Sequence, residues 1–108
     1  MGINVTEFEK GFICGILIGE GSFTGDMDHP AIAVKMHVRS IETLQRLHDL
    51  FDGSKIHGPY LHNNRNYFLW SLRGKALINA LPFIDEISVI FDSHVMGRYM
   101  RMKEKYNL

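Results

Sequence analysis

One cysteine, three prolines and no net charge set the first limits on this chain of 108 residues. A single thiol, Cys14, excludes an internal disulfide. It lies in an apolar run, where a buried and inert thiol is expected. Twelve basic and twelve acidic residues cancel, so the chain is no blanket polycation. The apolar run from Gly11 covers about ten residues, half of what a membrane span needs. It makes a poor secretory signal, because Glu7, Glu9 and Lys10 precede it. Neither membrane attachment nor export is expected, and an intracellular protein fits. Linkers, low-complexity tracts and internal repeats are also missing.

What is present is apolar side chain. Hydrophobic residues make up 45% of the chain and seven are phenylalanine, enough for one core in one domain over residues 1–108. A chain this short buries a modest share of its surface and gains from dimerising. Its charge is uneven. From Pro30 to Lys75 there are seven basic residues against three acids, and from His94 onward four against one. Six histidines add positive charge below pH ~6.5.

The pattern along the chain predicts alternating helices and strand pairs. Thr6-Glu7-Phe8-Glu9 has the form of a capping box, followed by a helix over about 6–20. SFTGDMDHP reads as a short strand running into a turn at Asp26 to Pro30, which also accounts for Asp26, Asp28 and His29 without a second metal cluster. In AIAVKMHVR, Ile32, Val34, Met36 and Val38 alternate with Ala33, Lys35, His37 and Arg39, the mark of a half-buried strand with a basic outer face. Ser40 is a candidate cap for a helix carrying Ile41, Leu44, Leu47, His48 and Phe51 at helical spacing, ended by Gly53. KIHGPY and YFLWSLR read as two strands around a polar HNNRN turn. A short helix from Lys75 to Leu81 ends near Pro82, and a final helix covers about 93–106. Short turns between strands argue for an antiparallel sheet with helices on one face, an α+β fold of order αββαββα plus the tail helix. Trp70, Phe68 and Phe23 alternate with the polar set and are read as core.

GFICGILIGEG, residues 11–21, is the least ordinary stretch. Gly11, Gly15 and Gly19 fall on one helix stripe. Each costs about 1 kcal/mol relative to alanine in a helix interior, so close approach of another helix is the natural compensation. One stripe per chain points to the same stripe on a second copy, in a two-fold interface. The axis then brings two Glu20 carboxylates together at helix C-termini that already carry partial negative charge. Such a cluster calls for a cation, and hard oxygen ligands suit Mg²⁺.

Ile13-Cys14-Gly15-Ile16-Leu17-Ile18-Gly19-Glu20-Gly21 resembles the nine-residue motif that names the LAGLIDADG homing endonucleases. Ser22-Phe23 follows it as in many members, the order of elements is similar, and KIHGPY with YFLWSL resembles the family's second hairpin; the likeness spans residues 6–82. The resemblance implies a homodimer with motif helices packed at the two-fold axis and saddle-shaped sheets in the DNA major groove. It implies cleavage of both strands of a long, near-palindromic double-stranded site. Mg²⁺, with Mn²⁺ as a substitute, falls to Glu20 and the backbone carbonyl of Gly19, and no small-molecule cofactor is implied. Two positions depart from the family: Ile18 replaces a common acid, and DEISVIFDSHVMGRY holds no lysine where members commonly place one. His94 and Arg98 are the nearest basic residues, and His94 is the candidate for that catalytic role. Arg39 stands where members often hold an active-site amide or basic residue.

The expected DNA-facing set is Ser22, Thr24 and Asp26, then Lys35, His37 and Arg39, then Lys55 and His57, then Tyr67, Ser71 and Arg73. Arginine and lysine can donate to guanine, and an acid can accept from cytosine. Lys75, Lys103 and Lys105 are assigned to phosphates. The rival expectation is a DNA- or RNA-binding protein on the same scaffold that does not cleave, a transcriptional regulator or an intron maturase. A small dimer unrelated to nucleic acid is a third.

Overall fold

The structure, a computed structural model, describes residues 5–108; residues 1–4 of the expected domain lie outside them. Helix α1 runs Glu7–Glu20. The capping box is formed: Thr6 Oγ1 accepts from the Glu9 amide at 3.1 Å, and Glu9 Oε1 accepts from the Thr6 amide at 2.9 Å. Such caps contribute about 1 kcal/mol. One face of α1 buries Ile13, Cys14 and Leu17. Cys14 Sγ donates to the Ile87 carbonyl at 3.5 Å, and burial raises its pKa, so the thiol stays protonated and unreactive.

Strand β1 spans Gly21–Asp26 and β2 spans His29–His37, joined by a turn in which Met27 is left-handed (φ 53°). The sequence pattern carried β2 on to Arg39. The strand stops earlier because His37 Nδ1 accepts the Arg39 amide at 3.1 Å, closing a 3₁₀ turn over Val38–Ser40. Helix α2 follows, Ile41–Leu50, and Ser40 gives it no side-chain cap. Strands β3 (Lys55–His62) and β4 (Arg65–Arg73) meet at a turn of two residues, Asn63 and Asn64. Both have positive φ, 51° and 62°, as the tight hairpin turn matching strand twist requires.

Helix α3 runs Gly74–Ile87, straight through Pro82. The sequence reading ended it there, and the structure corrects that. Leu77, Ala80, Phe83, Ile84 and Ile87 are all buried, so the apolar stripe continues past the proline. Pro82 itself is exposed, and the Ile78 carbonyl it leaves without a helical donor belongs to a residue that is 48% exposed. Burial of the far half outweighs the lost bond. After a 3₁₀ turn at Ser88–Ile90, Asp92 Oδ1 accepts the Val95 amide at 2.8 Å and starts α4, Ser93–Lys105.

The four strands form one antiparallel sheet in the order β1-β2-β4-β3. Ile32, Val34, Trp70 and Leu72 point from it into the core under the helices. Phe51 packs tilted against Trp70 and edge-on against Phe83, and Phe23 packs tilted against Phe91 and edge-on against Tyr99, with centroids 5.5 to 6.0 Å apart. Alternation then turns the other set of strand residues away from the helices.

Candidate nucleic-acid interface

Glu20 is placed by the residue after it. Gly21 is already extended (φ −73°, ψ 144°) while its amide still donates to the Leu17 carbonyl. A Cβ on Gly21 would stand 2.5 Å from that carbonyl oxygen. Only glycine lets α1 pass into β1 without a linker, and this junction fixes Glu20 at the seam of helix and sheet. The Glu20 side chain is exposed and, among the described residues, makes no hydrogen bond or ion pair. Termination there leaves the last carbonyls of α1, including that of Gly19, without a helical amide. An unengaged carboxylate beside free backbone carbonyls is a hard-oxygen donor set that fits Mg²⁺, which keeps several waters of its own. Among the described residues, no three His, Cys, Asp or Glu side chains gather at one place. A single copy therefore offers one carboxylate to such an ion.

The glycine stripe faces outward. Gly11, Gly15 and Gly19 are exposed, and a Cβ at any of them would meet nothing within 4 Å. Among the described residues, these glycines make no room for any other part of the chain. Phe8, at the head of the same stripe, is 88% exposed.

The outward residues of the sheet fall into rows by strand register. Thr24, Ala31 and Arg73 form one; Ser22, Ala33, Ser71 and Lys55 the next; Lys35, Leu69 and His57 a third; His37, Tyr67 and Tyr60 the last. The rows bring together ten of the sequence-predicted contacts once Asp26, at the end of β1, is included. Most are exposed, but Ser71 is 8% exposed and pairs with His57 Nε2 at 3.3 Å, so these two act as a unit. Lys35 lies over the Tyr67 ring at 4.8 Å, and Tyr60 packs on Tyr67 at 5.5 Å. Ala31, Ala33 and Leu69 add apolar positions to this face; Leu69 is not in the sequence-predicted set, although the alternation marks it.

Four candidates stand apart from these rows. Arg39 is exposed in the 3₁₀ turn beyond β2, not on the strand. Lys75 is exposed near the start of α3. His94 is exposed in the first turn of α4, and among the described residues no hydrogen bond or ion pair joins it to Glu20. Lys103, expected on phosphate, instead donates to Asp85 Oδ1 at 2.8 Å, beside the Tyr99 hydroxyl at 2.6 Å. Burial pushes Asp85 up, yet the bonds from Lys103 and Tyr99 outweigh it and hold the carboxyl below its ordinary range. Burial and the Asp85 carboxylate push the Tyr99 phenol well above its ordinary value.

This fold recurs in solved structures. A homing endonuclease encoded by a group I intron, I-CeuI, complexed with DNA, superposes with TM-score 0.75 at 22% identity, over 98% of this chain and 57% of its own. The fold is that of the LAGLIDADG homing endonucleases. The LAGLIDADG homing endonuclease I-LtrWI, bound to target DNA, gives TM-score 0.72 at 14% identity, over 96% of this chain and 38% of its own. A double mutant of I-SmaMI gives 0.69 at 14%, over 97% and 39%. This chain thus spans 38% to 57% of the length of those solved chains. No family model matches the sequence, and no curated protein does. Among the described residues no helix is long and apolar enough to cross a membrane.

Proposed function

We propose that this chain is a site-specific, double-stranded DNA endonuclease that works inside the cell as a homodimer and needs Mg²⁺, or Mn²⁺ in its place. The observation that carries the reading is the seam at Glu20: an unengaged carboxylate at the end of a helix whose glycine stripe is open, next to a polar sheet face. Two chains related by a two-fold axis through those stripes would set two Glu20 carboxylates side by side and present two sheet faces to one duplex. A pseudo-palindromic target follows from that symmetry. The likeness of fold to DNA-bound homing endonucleases supports the same reading.

In this scheme Glu20 and the Gly19 carbonyl hold the cation, which would activate a water and stabilise the leaving oxygen. The sheet rows orient the duplex: Arg73, Lys35 and Lys55 donate to base edges or phosphates, while the His57–Ser71 pair adds neutral hydrogen-bonding groups whose donor and acceptor roles follow the imidazole tautomer. Arg39 and His94 are proposed to balance charge at the scissile phosphate. The second reading, a DNA- or RNA-binding regulator or maturase without cleavage, is favoured by the stretch from Asp85 to Tyr99, which holds no lysine.

The test is cleavage of a randomised duplex library with Mg²⁺ and with Ca²⁺, read by sequencing the ends, with Glu20→Gln alongside. Mg²⁺-dependent ends at one pseudo-palindromic sequence, absent in the variant, are expected. Enrichment of a bound sequence without ends would select the second reading.

A further inference from the structure

A cleft of about 180 Å³ opens between the free edge of β1 and α4, away from Glu20. Arg98, Arg101 and Lys105 line it from one face of the helix, and Thr24 and Gly25 from the strand. No acid lines it. Among the described residues none of these three cations is in an ion pair, whereas Lys103 on the same helix is spent on Asp85. Tyr106 closes the cleft. Its hydroxyl lies against Gly25, where an added Cβ would collide with it, and among the described residues it is buried with no hydrogen-bond partner. A buried hydroxyl left unpaired destabilises the fold. Because β1 is an edge strand, alternate residues also point backbone amides outward, so at least one of residues 23–25 turns an N–H away from β2.

Three cations without ion-pair partners, a buried hydroxyl without a hydrogen-bond partner and an unpaired strand edge, with no acid among the lining residues, form a site rich in donors. We propose that this cleft binds a phosphate group, and that on DNA the phosphate is a backbone phosphodiester just outside the sheet footprint. The second clause rests on the DNA reading above; the first does not. Thr24 ties the two together, since it lines the cleft and heads the row that ends in Arg73. A carboxylate ligand would occupy one arginine fork. Phosphate offers more acceptor oxygens, which suits three cations converging from one side. The C-terminal helix thereby gains a role beyond closing the core: it grips the backbone and leaves sequence reading to the sheet.

The test uses the full chain and a labelled mixed-sequence duplex, with binding followed across a KCl series. The triple variant Arg98→Gln, Arg101→Gln, Lys105→Gln should flatten the slope of log Kd against log salt by about 0.9 for each phosphate it no longer neutralises. Tyr106→Phe, which changes no charge, should weaken binding about three- to tenfold while the fold gains stability. In parallel, inorganic phosphate should move the Thr24 and Gly25 amide resonances of the wild type and not of the triple variant. Wild-type binding with an unchanged slope in the triple variant and unchanged affinity in Tyr106→Phe would overturn the DNA clause. If the wild type binds no duplex at all, the proposed function fails, and the phosphate titration then decides the cleft alone. Shifts confined to the wild type keep it as a site for free phosphate; no shifts overturn it.

Discussion

At the scale of the residue, the proposed chemistry turns on a carboxylate and the glycine behind it. Glu20 could be found from sequence because it ends an apolar, glycine-marked helix. Gly21 could be marked as the end of the same motif, but not explained, because its constraint is a carbonyl four residues back that becomes an obstacle only once the chain turns into a strand. Its φ is negative, so alanine meets no conformational penalty there, only the collision with Leu17. Gly21→Ala should therefore cost about 1–3 kcal/mol through a forced backbone shift, measured as a lower urea midpoint. It should also lower cleavage more than binding, since Glu20 moves with the seam. Undiminished stability would mean that the junction relaxes freely and that Glu20 is held by something else.

At the scale of the element, α3 and α4 show where local signals mislead. A proline normally ends a helix, yet α3 keeps going because Phe83, Ile84 and Ile87 have a core to fill. That core is assembled by distant strands, which no window around Pro82 contains. Since Pro82 is exposed and removes one helical bond, Pro82→Ala should raise stability by about 1–3 kcal/mol, read from chemical denaturation. The Asp85–Tyr99–Lys103 latch between α3 and α4 was equally hidden, its partners being 14 and 18 residues apart. It sets two pH limits. Asp85 titrates lower folded than unfolded, so its contribution is present above an ordinary carboxyl pKa of about 3.9 and disappears as pH falls through the still lower folded value. Tyr99 titrates higher folded than unfolded, so its contribution is full below about pH 10 and is lost as pH rises beyond that. Tyr99→Phe should lower the midpoint at neutral pH by the worth of one hydrogen bond, about 1 kcal/mol. It should also remove part of the alkaline loss seen in the wild type, as a thermal scan across pH would show.

At the scale of the whole molecule, the question is what covers α1. The capping box, the strand alternation and the order of elements could all be read from sequence, because each depends on neighbours close along the chain. The sheet rows needed the β2–β4 and β3–β4 registers, and the α4 cleft needed the tail to fold back on β1; both are long-range facts. The glycine stripe lies between these cases. Its spacing suggests a partner, and the structure adds that no atom of the described residues lies where side chains would go. This makes Gly15→Ala informative. In an exposed helix interior the change favours the folded monomer by up to about 1 kcal/mol. If the stripe packs against a second copy, the same methyl stands between two helices, and association must weaken while the monomer gains. Gly15→Leu should abolish the dimer outright and, with it, any cleavage that needs two Glu20 carboxylates. Sedimentation equilibrium across protein concentration separates the terms, with circular dichroism reporting the fold. A stabilised Gly15→Ala chain with unaltered association would show that α1 is not the interface, and the paired-carboxylate scheme would fall with it.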